Sequence, residues 1–337
     1  MRKPVGLVPS SWLAVFSLTI IACLLVPACQ QKAKLPAAKI TIAISTTPYS
    51  GVIYVANEKG YFREEGLEVA LRPAMYGVIA LDALISGEAD FAACAETPFM
   101  FAALKGKGIL AVAEIVNSVK DVAIVALRDR GVESPADLKG KRIGYPSGST
   151  AQFFLDTYLT VHGVPRGSVQ AIHIKPDDMA DALRVGKVDA VAIFQPYVVV
   201  FGKEFGGNAV TFYGETIYKS SFVVVAGKKF VAERPEEVKK LLRALLKAEA
   251  FVRENPSEAL DIVAQSIGKN RSEMKTSFQG FDFRVKLDQS LLVNLENQAR
   301  WAIRSKLTDR NKVPNFLEYI YFDGLKAIRP EVVTIVR

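Results

Sequence analysis

The sequence predicts an α/β protein made of two similar, doubly wound lobes, and three observations carry this prediction. The phrase Asp-Ala-Leu-x-x-Gly-x-x-Asp occurs at 82–90 and again at 181–189, and each copy runs into an apolar strand and then a proline. Strand-like and helix-like segments alternate in both halves, which is typical of open, mostly parallel sheets with helices on both faces. Beyond residue 226 the pattern is helical. Two copies are too few for a solenoid and favour two lobes with a cleft between them.

Periodicity and turn residues place the elements in order. The strands alternate apolar and polar residues or form short apolar runs, and they are predicted at 39–44, 67–72, 89–93, 109–115, 122–127, 142–144, 171–174, 188–194 and 222–226. The helices carry an apolar stripe, and several stop at a glycine. They are predicted at 51–59, 78–86, 98–105, 151–162, 178–185, 196–205, 235–252, 256–267, 289–305 and 316–320.

The order of these elements predicts how the chain is divided. Residues 39–125 begin the first lobe, 126–218 form the second, and 219–337 supply a return strand and a helical tail that complete the first lobe. The tail must bury its apolar stripe, so we expect it to pack on the first lobe. Two crossings between the lobes, near 118–127 and 218–224, are expected to form a hinge.

The N-terminal segment has the features of an export signal. A basic start is followed by an uncharged apolar run at 12–26, and the small residue Ala28 precedes Cys29. This ending resembles a bacterial lipobox, so we expect a lipoprotein signal peptide at 1–28, lipidation of Cys29 and a tether at 29–38. A plain secretory leader or an uncleaved anchor helix is the alternative. All three place the body of the protein outside the cytoplasm.

Composition limits the class of protein. The 337 residues are 50% hydrophobic and 23% charged with a net charge of +8, which indicates a globular chain. Lys and Arg are spread along the sequence instead of forming a basic stripe with aromatic residues, so no nucleic-acid partner is expected. With two His and three Cys in the sequence, we expect no metal, no cofactor and no disulfide. We expect a monomer.

Polar loops follow four of the predicted strands and are candidate ligand contacts. Ligands in open α/β sheets bind outside the carboxyl ends of the strands. Helices open in these loops, so free N–H groups and helix dipoles can hold an anion there, although Ser and Thr at such positions also serve as helix caps. The candidate ligand-binding residues are Ser45, Thr46, Thr47, Tyr49, Glu96, Thr97, Ser147, Gly148, Ser149, Thr150, Gln195 and Tyr197. Tyr49 and Tyr197 are expected to form an aromatic wall of the cleft.

One stretch carries a family resemblance. Residues 136–150 read Ala-Asp-Leu-Lys-Gly-Lys-Arg-Ile-Gly-Tyr-Pro-Ser-Gly-Ser-Thr, and this run resembles the second-lobe opening of extracytoplasmic solute-binding proteins for aliphatic sulfonates, taurine and nitrate. These proteins are related to thiamine-pyrimidine binders, and the segments 60–67, 186–192 and 313–320 fit the same family. The resemblance implies a type II periplasmic-binding-protein fold, closure of a hinge over the ligand, and delivery to an ATP-driven importer.

Two departures from the family pattern bear on the substrate. Many relatives have Trp and then Asp or Glu before a proline, but this chain has Phe194 and Gln195 before Pro196, which weakens the case for a ligand amine such as that of taurine. The histidine-rich pattern of the pyrimidine-synthesising relatives is missing, since the sequence contains His162 and His173 alone. This counts against the enzymatic branch.

The leading interpretation is an extracytoplasmic substrate-binding protein that captures a small oxoanion, sulfonate-like by preference. It would deliver this solute to the permease and ATPase of an ABC importer, and it would be lipid-anchored on the outer face of the cytoplasmic membrane or soluble in the periplasm. One alternative is a desulfinase- or dehydratase-like enzyme that uses Cys94 and Glu96. Another is a binder of a thiamine pyrimidine precursor. We expect no enzyme, because no base is visible in the sequence beside Cys94.

Overall fold

The computed structural model describes residues 36–336 together with 1, 2, 4 and 6. The apolar run at 12–26 and the predicted lipidation site Cys29 lie outside the described residues, as does most of the predicted tether. No helix within 36–336 is both long and apolar enough to cross a membrane.

The first sheet is mixed and contains five strands. They are β1 (Ala38–Ser45), β2 (Leu67–Ala74), β3 (Phe91–Ala95), β4 (Ile109–Ser118) and β10 (Ser220–Gly227), in the spatial order β2–β1–β3–β10–β4. β1 pairs in parallel with β2 and β3, and β10 runs antiparallel between β3 and β4. The apolar run of β10 is explained by this central place, because a strand flanked on both edges and covered on both faces is buried.

The second sheet repeats this arrangement. It contains β5 (Val122–Leu127), β6 (Arg142–Tyr145), β7 (Gln170–His173), β8 (Ala190–Phe194) and β9 (Ala209–Tyr213), in the order β7–β6–β8–β5–β9. β6 pairs in parallel with β7 and β8, and β5 is antiparallel to β8 and β9. The chain passes from the first sheet to the second between β4 and β5 and returns between β9 and β10.

Helices surround both sheets. Among the described residues they are α1 (Gly51–Glu58), α2 (Tyr61–Glu64), α3 (Gly77–Ile85), α4 (Glu96–Leu104), α5 (Thr150–Val161), α6 (Met179–Arg184), α7 (Tyr197–Phe205), α8 (Lys228–Glu233), α9 (Pro235–Glu254), α10 (Pro256–Ser266), α11 (Arg271–Gln279), α12 (Gln289–Arg304) and α13 (Phe322–Ile328).

The two copies of the repeated phrase hold equivalent positions. Each copy ends in an aspartate at the start of β3 or β8. The carboxylate of Asp90 accepts a hydrogen bond from the backbone N–H of Thr41 in β1, at 2.7 Å. The carboxylate of Asp189 accepts one from the N–H of Arg142 in β6, at 2.9 Å, and pairs with the Arg142 guanidinium. Both aspartates therefore tie a helix–strand junction to the neighbouring strand and support the framework of their lobe.

The C-terminal helices pack on the first sheet. α9 buries Val238, Leu241 and Leu245 on one stripe, and isolated bridges join Ala111 of β4 to Ile320 and Glu114 to Lys286. The predicted fold class, two α/β lobes with a helical C-terminal region, is confirmed.

Several elements differ from the sequence-based expectation, and the short helices α2, α8 and α13 are among those not predicted. β9 was not predicted, because it is only half-buried at the edge of its sheet and follows two glycines, so its apolar pattern is short. α11 was not predicted, because its sequence is mostly polar and its few buried residues include Met274 and Phe278. The helix predicted at 316–320 is a single 3₁₀ turn, Phe316–Tyr319.

Candidate functional site

An interlobe groove of about 510 Å³ lies between helices of the first lobe and a loop of the second. Its volume falls within the usual range of small-molecule sites. The first-lobe wall comes from α3 and α4 and is largely apolar, with Val78, Leu81 and Phe101 among its residues. Two cations, Lys105 and Lys107, also line it. The groove therefore offers apolar surface beside positive charge.

The second-lobe wall is polar and is formed by the end of β6, the loop that follows it and the first turn of α5. Tyr145, Ser147, Gly148 and Gln152 line the groove there. Gly148 has a φ of +69°, a left-handed backbone conformation that glycine adopts without strain. This turn brings the backbone of the loop directly to the edge of the groove.

One of the two residues expected to cap α5 does so. Ser149 is the N-cap, and its hydroxyl accepts a hydrogen bond from the N–H of Gln152 at 3.4 Å and donates to the carbonyl of Pro146 at 2.5 Å. Thr150 follows as the first helical residue and is buried. Of the four residues predicted in this loop, Ser147 and Gly148 line the groove, whereas Ser149 uses its hydroxyl as a cap.

Two backbone donors of the same loop already have partners. The N–H of Ser147 donates to Nδ1 of His173 at 3.1 Å. The N–H of Gly148 donates to Oε1 of Gln152 at 2.7 Å. A ligand at this loop would therefore meet side chains that are themselves fixed by the backbone.

The loop after β1 is mostly buried. The hydroxyls of Ser45 and Thr47 lie 2.7 Å apart, and that of Ser50 is 3.4 Å from Ser45. Thr46 is exposed and donates to the carbonyl of Ala74 at 3.3 Å. Among the residues predicted in this loop, Thr46 is thus the one that solvent reaches most freely.

Tyr49 lies at the hinge. Its ring packs against Phe222 and Phe281, with centroid distances of 5.2 and 4.8 Å. Its hydroxyl donates to the carboxylate of Asp121, in the crossing between the sheets, and to the carbonyl of Gln195 at 3.1 Å. Burial, and then the Asp121 carboxylate, raise the pKa of Tyr49. This position favours a structural role in the hinge over the predicted place in an aromatic wall.

Glu96 and Thr97, at the start of α4, are fully buried. The Glu96 carboxylate accepts hydrogen bonds from the hydroxyl of Tyr218, the N–H of Ser221 at 3.1 Å and the amide of Gln298 at 3.0 Å. Burial raises the pKa of Glu96 to about 7, although these hydrogen bonds lower it. This environment favours a structural role for Glu96 over the predicted ligand contact.

The segment after β8 spans the cleft. Gln195 is buried and its Nε2 donates to the carbonyl of Lys120 at 3.3 Å. The hydroxyl of Tyr197 donates to Asp177 at 2.5 Å, and that of Tyr76, from the first lobe, donates to the same carboxylate at 2.7 Å. The two hydroxyls are 3.2 Å apart. Tyr76, Asp177 and Tyr197, which we call the cleft latch, join the two lobes directly.

Sequence reasoning missed several residues at the cleft, namely Tyr76, Asp177, Gln152, Lys105 and Lys107. Tyr76 could have been found from its position in the sequence, because it comes shortly after the end of another strand, β2. Gln152 could have been found as the third helical residue after a capping serine, a position that faces the helix start.

Cys94 is fully buried in β3. Burial, and then the charge of Glu96, raise the pKa of its thiol far above the usual range. A catalytic cysteine needs accessible thiolate, so this environment does not suit a nucleophile. Within the described part of the chain, no group of three or more His, Cys, Asp and Glu side chains could hold a metal ion.

Another groove, of about 460 Å³, lies on the C-terminal helices. It is lined by residues of the tail alone, and two of its cations are paired, Arg271 with Asp261 and Arg284 with Asp282. The interlobe groove is the better candidate site, because it draws residues from both lobes.

Relatives of this chain include both binding proteins and an enzyme. A Bacillus subtilis protein named as an aliphatic sulfonates-binding protein is 28% identical over 216 residues, which are 62% of this chain and 64% of that protein. The 4-amino-5-hydroxymethyl-2-methylpyrimidine phosphate synthase of Legionella pneumophila is 23% identical over 235 residues, 68% of this chain and 73% of that enzyme.

The fold has solved counterparts. The crystal structure of the periplasmic aliphatic sulphonate binding protein SsuA from Escherichia coli matches with a TM-score of 0.73 at 18% identity, covering 84% of this chain and 97% of SsuA. This likeness supports the predicted periplasmic-binding-protein fold. A family model described as NMT1/THI5 like matches residues 47–259, more than half of the sequence. The chain therefore belongs to the NMT1/THI5-like family.

Proposed function

We propose that this protein is the substrate-binding component of an ABC importer and that it captures a small organic oxoanion in the interlobe groove. The observation that carries the proposal is the groove itself. Apolar residues and two lysines from the first lobe face hydrogen-bond donors from the second lobe across about 510 Å³. The Bacillus and Escherichia proteins reported above, which are named for sulfonate binding, support the same class of ligand.

The chemistry of the groove favours an organic sulfonate over a bare inorganic anion. Val78, Leu81 and Phe101 offer apolar contact that nitrate could not use. Lys105 and Lys107 outnumber the one acidic residue of the lining, Asp82, so an anionic head group is favoured. A solute with a short apolar tail and a sulfonate group satisfies both sides.

The predicted ligand contacts are proposed in two groups. Ser147, Gly148, Thr46 and Tyr197 lie at the groove or at the cleft opening and are proposed to touch the solute. Ser45, Thr47, Tyr49, Glu96, Thr97, Ser149, Thr150 and Gln195 are buried or act as caps, and they are proposed to fix the shape of the cleft.

An enzymatic function is the less favoured candidate. The Legionella enzyme supports it, and Cys94 with Glu96 would supply the chemistry. The burial of Cys94 and the saturated hydrogen bonding of Glu96 argue against this role. A solute-binding role requires no reactive group.

Export and lipid anchoring complete the proposal. The lipobox-like ending at Ala28 and Cys29 supports a protein held at the outer face of the cytoplasmic membrane, with permease and ATPase as partners. Mass spectrometry of the full-length protein made in a bacterial host should find a mature chain that begins at Cys29 and carries the added mass of a lipid, and Cys29→Ser should lack that mass. A wild-type chain without the added mass would contradict lipidation at Cys29.

A thermal-shift screen tests the function. The protein without its first 29 residues should show a raised melting temperature with at least one of ethanesulfonate, taurine or nitrate, because a ligand that binds only the folded state stabilises it. At a concentration of about 100 times Kd the gain is about 2.7 kcal/mol. A shift with aminopyrimidines and none with any oxoanion would instead favour the pyrimidine-binding alternative.

A further inference from the structure

We propose that Gln152 is the residue that makes the second-lobe wall selective for oxoanions. The inference rests on the proposed function, since it concerns the same groove. Gln152 lines the groove and yet is only 5% exposed. A buried amide held at the edge of a binding groove can act on a ligand only through the few atoms that face it.

The orientation of this amide is fixed by the backbone. The N–H of Gly148 donates to Oε1 of Gln152 at 2.7 Å. An amide nitrogen cannot accept that hydrogen bond, so the oxygen must face Gly148 and the Nε2 amino group must face away from it. Within the described chain Nε2 has no hydrogen-bond partner, and it is not enclosed by protein atoms. Its two hydrogens are therefore free for a ligand.

The Nε2 amino group of Gln152 can only donate hydrogen bonds, and this sets which ligands the groove selects. An amino group can donate to the oxygens of a sulfonate, but it cannot accept from an ammonium or an amine. The hydroxyls of Ser147 and Tyr145 belong to the same wall, and Lys105 and Lys107 belong to the opposite wall. Gln152 thus completes a set of donors around the groove and disfavours solutes whose polar end only donates.

A single substitution separates this role from folding. Gln152→Glu keeps an oxygen on the Gly148 N–H but places a second, negatively charged oxygen where the amino group lies. Gln152 is the third helical residue after the N-cap Ser149, a position where glutamate is favoured by the helix dipole and by capping. The variant should therefore fold with a melting temperature equal to or above that of the wild type.

The test is a calorimetric titration of the wild type, Gln152→Glu and Gln170→Glu with ethanesulfonate, taurine and nitrate. Gln170 is an exposed residue of the same lobe in β7, so its variant adds the same charge away from the groove. We expect Gln152→Glu to bind at least tenfold more weakly than the wild type and Gln170→Glu to bind like the wild type.

Each other outcome contradicts a stated claim. Equal binding by the wild type and Gln152→Glu, or an equal loss in both variants, would overturn the role of Gln152 and leave the proposed function intact. A sharp fall in the melting temperature of Gln152→Glu would contradict the claim that the Nε2 position opens into the groove, because a charge enclosed by protein atoms destabilises the fold. A wild type that binds none of the three probes would overturn the proposed function together with this inference.

Discussion

Replacing Glu96 by glutamine is expected to make the free energy of unfolding less dependent on pH. In the wild type this free energy should fall by about 3 kcal/mol between about pH 4.5 and about pH 7, and in Glu96→Gln this fall should be absent. Burial raises the pKa of Glu96 from 4.5 to about 7 in the folded protein, so the folded state holds this proton more tightly than the unfolded chain does. The resulting stability is fully present below pH 4.5 and is lost as the pH rises to about 7. Glutamine resembles the protonated acid and carries no such dependence.

The groups that face Glu96 do not obscure this effect. Burial raises the pKa of Tyr49, Cys94 and Tyr218, so all three stay neutral throughout the window. Urea unfolding of the wild type and of Glu96→Gln at a series of pH values gives the difference curve. Glu68→Gln, which alters an exposed carboxylate of β2, is the control and should follow the wild type. Parallel curves for the wild type and Glu96→Gln would contradict the assignment.

Replacing Tyr76 by phenylalanine is expected to weaken ligand binding by about tenfold, or about 1.4 kcal/mol. The Tyr76 hydroxyl donates to the carboxylate of Asp177 in the other lobe, which also accepts from Tyr197, and this bond between lobes exists only when the lobes are together. Phenylalanine keeps the ring contact with Phe194, whose centroid is 6.3 Å away. The variant therefore populates the closed state less, and the substitution leaves no cavity in the protein. The apparent affinity for the ligand falls in proportion to the closed-state population.

Calorimetry and stopped-flow dissociation measure this prediction. Tyr61→Phe makes the same chemical change on α2, outside the groove and the cleft latch, and should bind like the wild type. The loss in Tyr76→Phe should come mainly from faster dissociation, since closure holds the solute in place. If Tyr76→Phe kept the wild-type affinity and dissociation rate, the cleft latch would have no part in binding.

The fold could be predicted because its signals are local. The repeated phrase places a glycine stop and an aspartate at each helix–strand junction, and the structure shows Asp90 and Asp189 in equivalent roles. β9 and α11 were not predicted, because neither sequence has a long apolar periodicity. Both elements are stabilised by packing against neighbouring elements. Tertiary packing of this kind overrides weak local patterns.

The candidate site could be predicted only in part. Strand ends and helix caps pointed to the loop that contains Ser147 and Gly148, and this loop does line the groove. The burial of Glu96 depends on Gln298 of α12, and the packing of Tyr49 depends on Phe281, and both of these partners are far away in the sequence. No local pattern reveals such contacts, so the sequence could not show that Glu96 is enclosed by distant residues or that Tyr49 packs at the hinge.

The central claim is that an organic oxoanion binds between the two lobes and closes them. The most direct measurement is a calorimetric titration of the chain lacking its first 29 residues with ethanesulfonate and taurine, paired with small-angle X-ray scattering before and after saturation. We predict saturable binding of one solute per chain, with a smaller radius of gyration when the solute is bound. No saturable heat with either sulfonate, or binding that leaves the radius of gyration unchanged or larger, would contradict the account.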